Sequence, residues 1–257
     1  DIGTSTIAYS STTVVKILEL ADKVQDIENE KRRLLRKMER SRRAMNPDNY
    51  NEDGTIKKHG NNRVVWNKSN HYLKYQDELK ELYRKQADVR KYQHECLANE
   101  IISLGDNIYV ETMNFSGLAK KSTKTEKNDN GKFKRKKRFG KSIGNRAPSM
   151  LLGIVDRKLS YYGKSLIKID TWNAKASQFN HFDGAYNKKM LSQRWNNFNG
   201  IRLQRDLYSA FLIMNVAEDL KSFDIDKCNE RFENFYRLHN LEVERLSGYK
   251  NLSSIGI

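Results

Sequence analysis

Disulfide chemistry is the first thing this sequence does without. Its 257 residues include two cysteines, Cys96 and Cys228. Two isolated thiols exclude a disulfide framework and fit a reducing compartment. No run reaches the roughly 18 apolar residues of a membrane-spanning helix. No basic-then-apolar signal pattern opens the chain. The five histidines, His59, His71, His94, His181 and His239, are scattered without zinc spacing. His94 and Cys96 are two apart on a predicted helix and share no face. No internal repeat is visible. Acid is the minority charge, with 32 Asp and Glu against 48 Lys and Arg, giving a formal net charge of +16.

That imbalance calls for a polyanionic partner, nucleic acid first and an anionic membrane surface second. The bases are also clustered. Residues 31–43 read KRRLLRKMERSRR. Lys31, Arg32, Arg33, Arg36, Lys37, Arg40, Arg42 and Arg43 surround the apolar Leu34, Leu35 and Met38, which predicts a helix that tracks phosphates. Residues 132–141, KFKRKKRFGK, hold seven Lys or Arg in ten. There Lys134, Arg135, Lys136, Lys137 and Arg138 would meet a backbone, and Phe133 and Phe139 offer faces on which bases stack.

The order of elements is that of an α/β protein. Residues 2–19 read as a β-hairpin turning at SST. Helices are predicted over 22–44 and 69–104, with apolar residues such as Val24, Ile27, Leu79 and Leu97 at helical spacing. Asn46-Pro47 breaks the first, and a polar loop follows. A strand is expected at 107–113, a flexible arm at 118–145, and a helix at 146–162 with Met150 among its inward residues. A strand at 165–170 and an irregular Asn-rich stretch at 173–200 come next. Helices at 203–218 and 226–246 close the chain.

Three acids stand in informative places: Asp1 in DIGTSTIAYSS, Glu111 in NIYVETMNFSG and Asp206 in LQRDLYSAFLI. Asp1 opens a strand-like run and Glu111 ends a strand. A carboxylate ending a buried strand is costly unless it is paired or holds a metal. Asp206 starts an amphipathic helix, where it would either join the other two or satisfy free helix N–H groups. Three acids from distant segments suit a two-metal nuclease, in which Mg²⁺ ions roughly 4 Å apart clamp the attacking and leaving oxygens of a phosphodiester.

Together these segments resemble the RuvC-type nuclease core of the TnpB family, the transposon-associated RNA-guided DNA endonucleases related to type V CRISPR effectors. The resemblance spans roughly residues 1–218 and rests on DIG, YVETMNFSGL, RKLSYYGKSLIKIDTWNAKASQ and QRDLYSAFLIMN. It implies an RNase H-like (RuvC) fold, a mixed sheet with flanking helices and an inserted long helical hairpin. It implies Asp1, Glu111 and Asp206 as catalytic metal ligands for two Mg²⁺ ions, with Mn²⁺ as a substitute. It also implies a guide RNA, a DNA target and a prokaryotic cytoplasmic setting beside the nucleoid. Arg205 is expected to orient Asp206 or meet a phosphate. A related outcome in that family is an RNA-guided DNA-binding protein that does not cut, and this is the alternative reading.

On this resemblance residues 1–20, 106–172 and 202–218 form the core. Residues 21–105 form the basic hairpin, 118–145 the arm, 173–201 a ribbon-like lobe and 219–257 a helical tail. Asp1 begins partway through a strand, so missing N-terminal domains of the same protein are expected before it. The family's lobe carries a four-cysteine zinc ribbon. Here those positions hold Asn180, Asp183, Asn196 and Asn199, while the turn glycines persist as Gly184 and Gly200. Asn is a poor zinc ligand, so no zinc is expected. Packing among Phe179, Phe182, Tyr186, Trp195 and Phe198 would hold the lobe instead.

Overall fold

The N-terminal residues fold back twice. In the computed structural model, which describes residues 1–57, 63–121, 123, 125–134, 139–190, 192–248 and 255, Asp1 and Ala8 exchange both backbone hydrogen bonds at 2.9 Å. Ile2 pairs with Ile7, and Gly3 N–H closes the turn on Thr6 O at 2.8 Å. Strand β1 (Thr6–Ser10) then pairs antiparallel with β2 (Val15–Glu19), Ala8 opposite Ile17. The Ser11 hydroxyl accepts from Thr13 and Val14 N–H and fixes the second turn.

Period two splits this meander between two cores. Ala8, Val15 and Ile17 enter one, and Ile7, Tyr9 and Leu20 enter the other. Both faces are therefore covered, as in an α/β layer structure. Strand β3 (Tyr109–Glu111) lies parallel to β4 (Ile167–Ile169), with Glu111 opposite Ile169. The chain is thus a mixed α/β protein with small sheets.

Two compact units make up the chain, residues 1–21 with 93–257, and residues 22–92. The second unit holds α1 (Val24–Met45) and the start of α2 (Asn70–Ser103), close to the two long helices read from the sequence. Their seam buries Val24, Ile27, Leu34 and Met38, but Leu35 stays exposed. In the first unit, α5 (Pro148–Ser160) buries Leu151, Ile154, Val155 and Leu159, while Met150 faces solvent. Helix α7 (Arg205–Met214) is buried along most of its length and packs on β1, β2 and β3. Helix α8 (Ile225–Ser247) covers β2, where Glu242 accepts from the Ile17 N–H at 2.9 Å. That buried acid closes a strand edge that would otherwise expose free N–H groups.

Two stretches are more ordered than their composition suggests. Residues 118–145, expected as a flexible arm, contain the end of α3 (Phe115–Ala119), a Lys127–Phe133 bridge across a tight turn, and most of α4 (Gly140–Arg146). Gly140 is needed there, because a Cβ would sit 2.8 Å from Ala119 O. Arg135, Lys136, Lys137 and Arg138 lie outside the described residues.

The stretch expected to be irregular at 173–200 follows the short α6 (Thr171–Ala174) with two antiparallel pairs. These are β5 (Phe179–Asn180) with β6 (Ala185–Tyr186), and β7 (Trp195–Phe198) with β8 (Ile201–Gln204). Asn199 and Gly200 turn the second pair with φ of 49° and 91°. Two positive φ values in a two-residue loop match the right-handed twist of the flanking strands. Among the described residues no helix is long and apolar enough to cross a membrane.

Candidate active site

Glu111 is placed by a pair of threonines. Thr112 N–H donates to Thr171 Oγ1 at 2.9 Å, and Thr112 Oγ1 donates to Ile169 O at 3.1 Å. These bonds hold the end of β3 against the end of β4, so the last strand residue has a fixed direction. Asn114 then caps α3 by accepting from Gly117 N–H at 2.8 Å, which explains the Asn-x-x-Gly spacing after Glu111. The Glu111 carboxylate makes no hydrogen bond or ion pair with any described side chain. Burial pushes its pKa up from the ordinary carboxylate value, and the positive amino group of Asp1 opposes that shift.

Asp1 is half-buried at the edge of the meander. Its amino group is lowered in pKa by burial, while the Glu111 and Asp206 carboxylates pull in the opposite direction. The Asp1 backbone nitrogen therefore lies within electrostatic range of both Glu111 and Asp206.

Asp206 sits in the first turn of α7 but does not cap it. The cap is Gln204, whose Oε1 accepts from Leu207 N–H at 2.8 Å. The helix-cap alternative for Asp206 is thereby set aside. Its two oxygens face guanidinium groups, Arg205 Nε at 3.3 Å and Arg194 Nη1 at 3.4 Å. Gln204 is fixed on three sides. Its N–H donates to His239 Nε2 at 2.9 Å, and its Nε2 donates to Ile255 O at 3.0 Å. His239 Nδ1 lies 2.9 Å from Asn240 Oδ1, which assigns the proton to Nδ1 and leaves Nε2 free to accept. Burial lowers the His239 pKa and keeps that tautomer neutral.

Among the described residues no three His, Cys, Asp or Glu side chains form a ready metal cage. The chemistry of the acids nevertheless suits a hard divalent cation, since all three offer carboxylate oxygens and Glu111 is half-buried with no hydrogen-bonding side chain among the described residues. Beside Asp1 lies a cleft of about 380 Å³ whose lining includes Tyr109, Lys227 and Arg231. Lys227 is paired with Asp224 Oδ2 at 2.9 Å and Arg231 donates to Asn215 Oδ1 at 3.0 Å, and neither Glu111 nor Asp206 lines this cleft.

The basic residues divide into two groups. Arg33, Arg36 and Arg40 are exposed on α1 without an ion pair among the described residues. Arg32 lies 3.7 Å from Glu28, Arg43 lies 3.0 Å from Glu39, and Lys37 lies over the Tyr75 ring; all three remain exposed. Lys134 is exposed and lies 3.4 Å from Glu126.

Lys31 differs from the expectation, and Arg205 takes the first of its two expected roles. Lys31 is 6% exposed, donates to Gln86 and Glu28 at 2.8 and 3.3 Å, and stands over the Tyr83 ring. It belongs to the helical seam because the period of α1 points it inward. Arg205 is nearly buried, held by Asp206 and by the Gln193 carbonyl at 3.1 Å. Its donors are occupied by protein, so it orients Asp206 instead of facing solvent. Arg194, which sequence reasoning missed, carries no periodic or motif signal. It becomes visible only when the lobe folds against α7.

Compared with known proteins, the chain matches no family model and no curated sequence.

Proposed function

We propose that this chain is the nuclease core of an RNA-guided DNA endonuclease that hydrolyses phosphodiester bonds at Asp1, Glu111 and Asp206. The observation that carries this reading is that Glu111 and Asp206, far apart in sequence, both lie within electrostatic range of the Asp1 backbone nitrogen. An RNase H-like (RuvC) arrangement is supported by an antiparallel meander beginning at Asp1, two short parallel strands, and α7 packed on the strands that carry or neighbour the acids.

Asp1, Glu111 and Asp206 would hold Mg²⁺, or Mn²⁺ in its place. Bound there, the metal would supply Lewis-acid activation of water and neutralise the leaving oxygen. The chain's own residues set the stage. Gln204 caps α7 and fixes the direction of Asp206, Thr112 and Thr171 fix Glu111, and Arg205 restrains Asp206. The exposed arginines of α1 and the exposed Lys134 would hold phosphates of guide RNA and target DNA.

A second reading, RNA-guided binding without cutting, is favoured by the Arg194 and Arg205 contacts on Asp206, which occupy both of its oxygens. Plasmid cleavage separates the two. The protein with its co-purifying RNA, Mg²⁺ and matched DNA should cut, and Glu111→Ala and Asp206→Ala should each abolish cutting. Tight matched-target binding with no cleavage in any sample would establish the second reading.

A further inference from the structure

Helix α7 carries Asp206, and its first turn is held by a residue 33 positions beyond Asp206, on another helix. Gln204, which caps α7, is fully buried, and its backbone N–H donates to Nε2 of His239 on α8 at 2.9 Å. An imidazole nitrogen that accepts a hydrogen bond carries no proton. His239 is therefore neutral, with its hydrogen on Nδ1, and Asn240 Oδ1 at 2.9 Å takes that hydrogen. The ring is 1% exposed and lies among Trp195 of β7 and Phe235 and Tyr236 of α8.

A proton on Nε2 would turn this acceptor into a donor. Two N–H groups would then face each other in a buried place, and Gln204 could stay only with its own N–H unpaired. An orphaned buried donor costs roughly a factor of ten or more in equilibrium. The Gln204 side chain, which receives the Leu207 N–H at 2.8 Å, would lose its anchor on the same occasion.

No neighbouring charge keeps the ring cationic. On α8, Tyr236 stacks on it, and Glu242 is engaged by Arg245 and by the Ile17 N–H. On β8, Arg202 lies over the Trp195 ring at 4.3 Å. On α7, Arg205 and Asp206 pair with each other, and the Tyr208 hydroxyl meets His181. On β2, Lys16 pairs with Glu100 and Glu19 with Arg146. The influences on the His239 pKa are burial, which lowers it, and the Asn240 bond, which opposes that. The unfolded chain therefore takes the proton first, so the hold on Gln204 is complete above 6.5 and is lost as pH falls below it.

We propose that His239 is a positioning residue that makes the setting of Asp206 conditional on pH. Neutral, it holds Gln204 and the first turn of α7; protonated, it releases them. The link to cleavage rests on the reading of Asp206 as a catalytic acid, whereas the hold on α7 does not.

The test uses the full chain, with isotope-edited magnetic resonance of the histidine rings and amide exchange from about pH 7.5 to about pH 5. In the wild type the protection of the Leu207 amide should fall about tenfold as the His239 ring takes its proton. His239→Gln offers an acceptor that cannot titrate, so its Leu207 protection should stay level. Asn240 is exposed, and Asn240→Asp places a carboxylate beside Nδ1. That favours the imidazolium and should move the wild-type transition upward by roughly one pH unit. With co-purifying RNA, Mg²⁺ and matched DNA, the cleavage rate of the wild type relative to His239→Gln should follow the same curve and fall about tenfold. Both proteins keep His181, so its titration cancels in that ratio. The wild-type resonances stand even where a variant folds poorly. A ring that stays neutral until acid unfolding would overturn the proposal. So would a transition that Asn240→Asp leaves in place, or a flat cleavage ratio while Leu207 protection falls. Absence of cleavage in every sample at every pH, with Leu207 protection still tracking the ring, would remove the nuclease reading and leave the hold of His239 on α7 standing.

Discussion

At the residue scale, Glu111 is a half-buried carboxylate with no hydrogen-bonding side chain among the described residues. Glu111 announces itself because a carboxylate after Ile108 and Val110 at a strand end has no reason to be there unless it is used. Arg194 gives no such sign, since it acts on Asp206 only through a fold-back of the chain. The buried charge of Glu111 has a measurable cost. Glu111→Gln keeps the shape and removes the charge, so it should raise the melting temperature while abolishing cleavage, by about 2–4 °C for each kcal/mol relieved. Addition of Mg²⁺ should then stabilise the wild type, by mass action on the folded state, and leave Glu111→Gln unmoved. An unchanged wild-type melting temperature in Mg²⁺ would count against metal binding at these acids.

His181 makes a second residue-scale prediction. It is buried among Phe182, Tyr208, Phe211 and Phe232, with Nδ1 at 2.7 Å from the Tyr208 hydroxyl. Burial pulls its pKa from 6.5 to about 4. The unfolded chain therefore binds the proton first. Stability from this group is complete above the ordinary histidine value and is lost as pH falls from 6.5 toward 4. The loss is roughly 3 kcal/mol over that window. His181→Asn retains a group for Tyr208 and cannot titrate, so its melting curve should be flatter between pH 6.5 and 4. A wild-type curve just as flat would refute the assignment.

At the element scale the long helices were readable from periodicity, whereas the lobe was not. Its strands are only two to four residues long, too short for the four-to-eight-residue alternation that marks a half-buried strand. The one clear sign was the Asn199-Gly200 pair, a strong hairpin signal. Gly200→Ala places a side chain at φ 91° and should destabilise the lobe by about 1–3 kcal/mol. Gly105→Ala, where an added Cβ meets nothing within 4 Å, is the control. Helix α1 offers a functional counterpart. Replacing Arg33, Arg36 and Arg40 together with Ala removes three exposed cations from one face. The slope of log binding constant against log salt should shrink by about 2–3, with stability changed by less than about 0.5 kcal/mol. An unchanged slope would place the phosphate track elsewhere.

At the scale of the whole molecule, the mixed α/β class was readable from the alternation of strand and helix patterns. The boundary at 92/93 runs through α2, where composition does not change, so no signal in the sequence marks it. Nor could the sequence show that the last described residue reaches back to Gln204, which caps α7. Ile255 is 1% exposed, and its carbonyl accepts from the side chain that caps α7. A chain ending at Gly248 should lose roughly 3 kcal/mol, from a buried Ile and a buried hydrogen bond. Its melting temperature measures this directly.

That clasp also sets an order of events during synthesis. Gln204 and Ile255 are 51 residues apart, and a ribosome adding about 5–20 residues per second needs about 3–10 s to cover that distance. Throughout that interval the helix bearing Asp206 exists without the carbonyl that steadies its first turn. The first turn of the helix that bears Asp206 is therefore steadied only after residue 255 has been made, well after the helix itself.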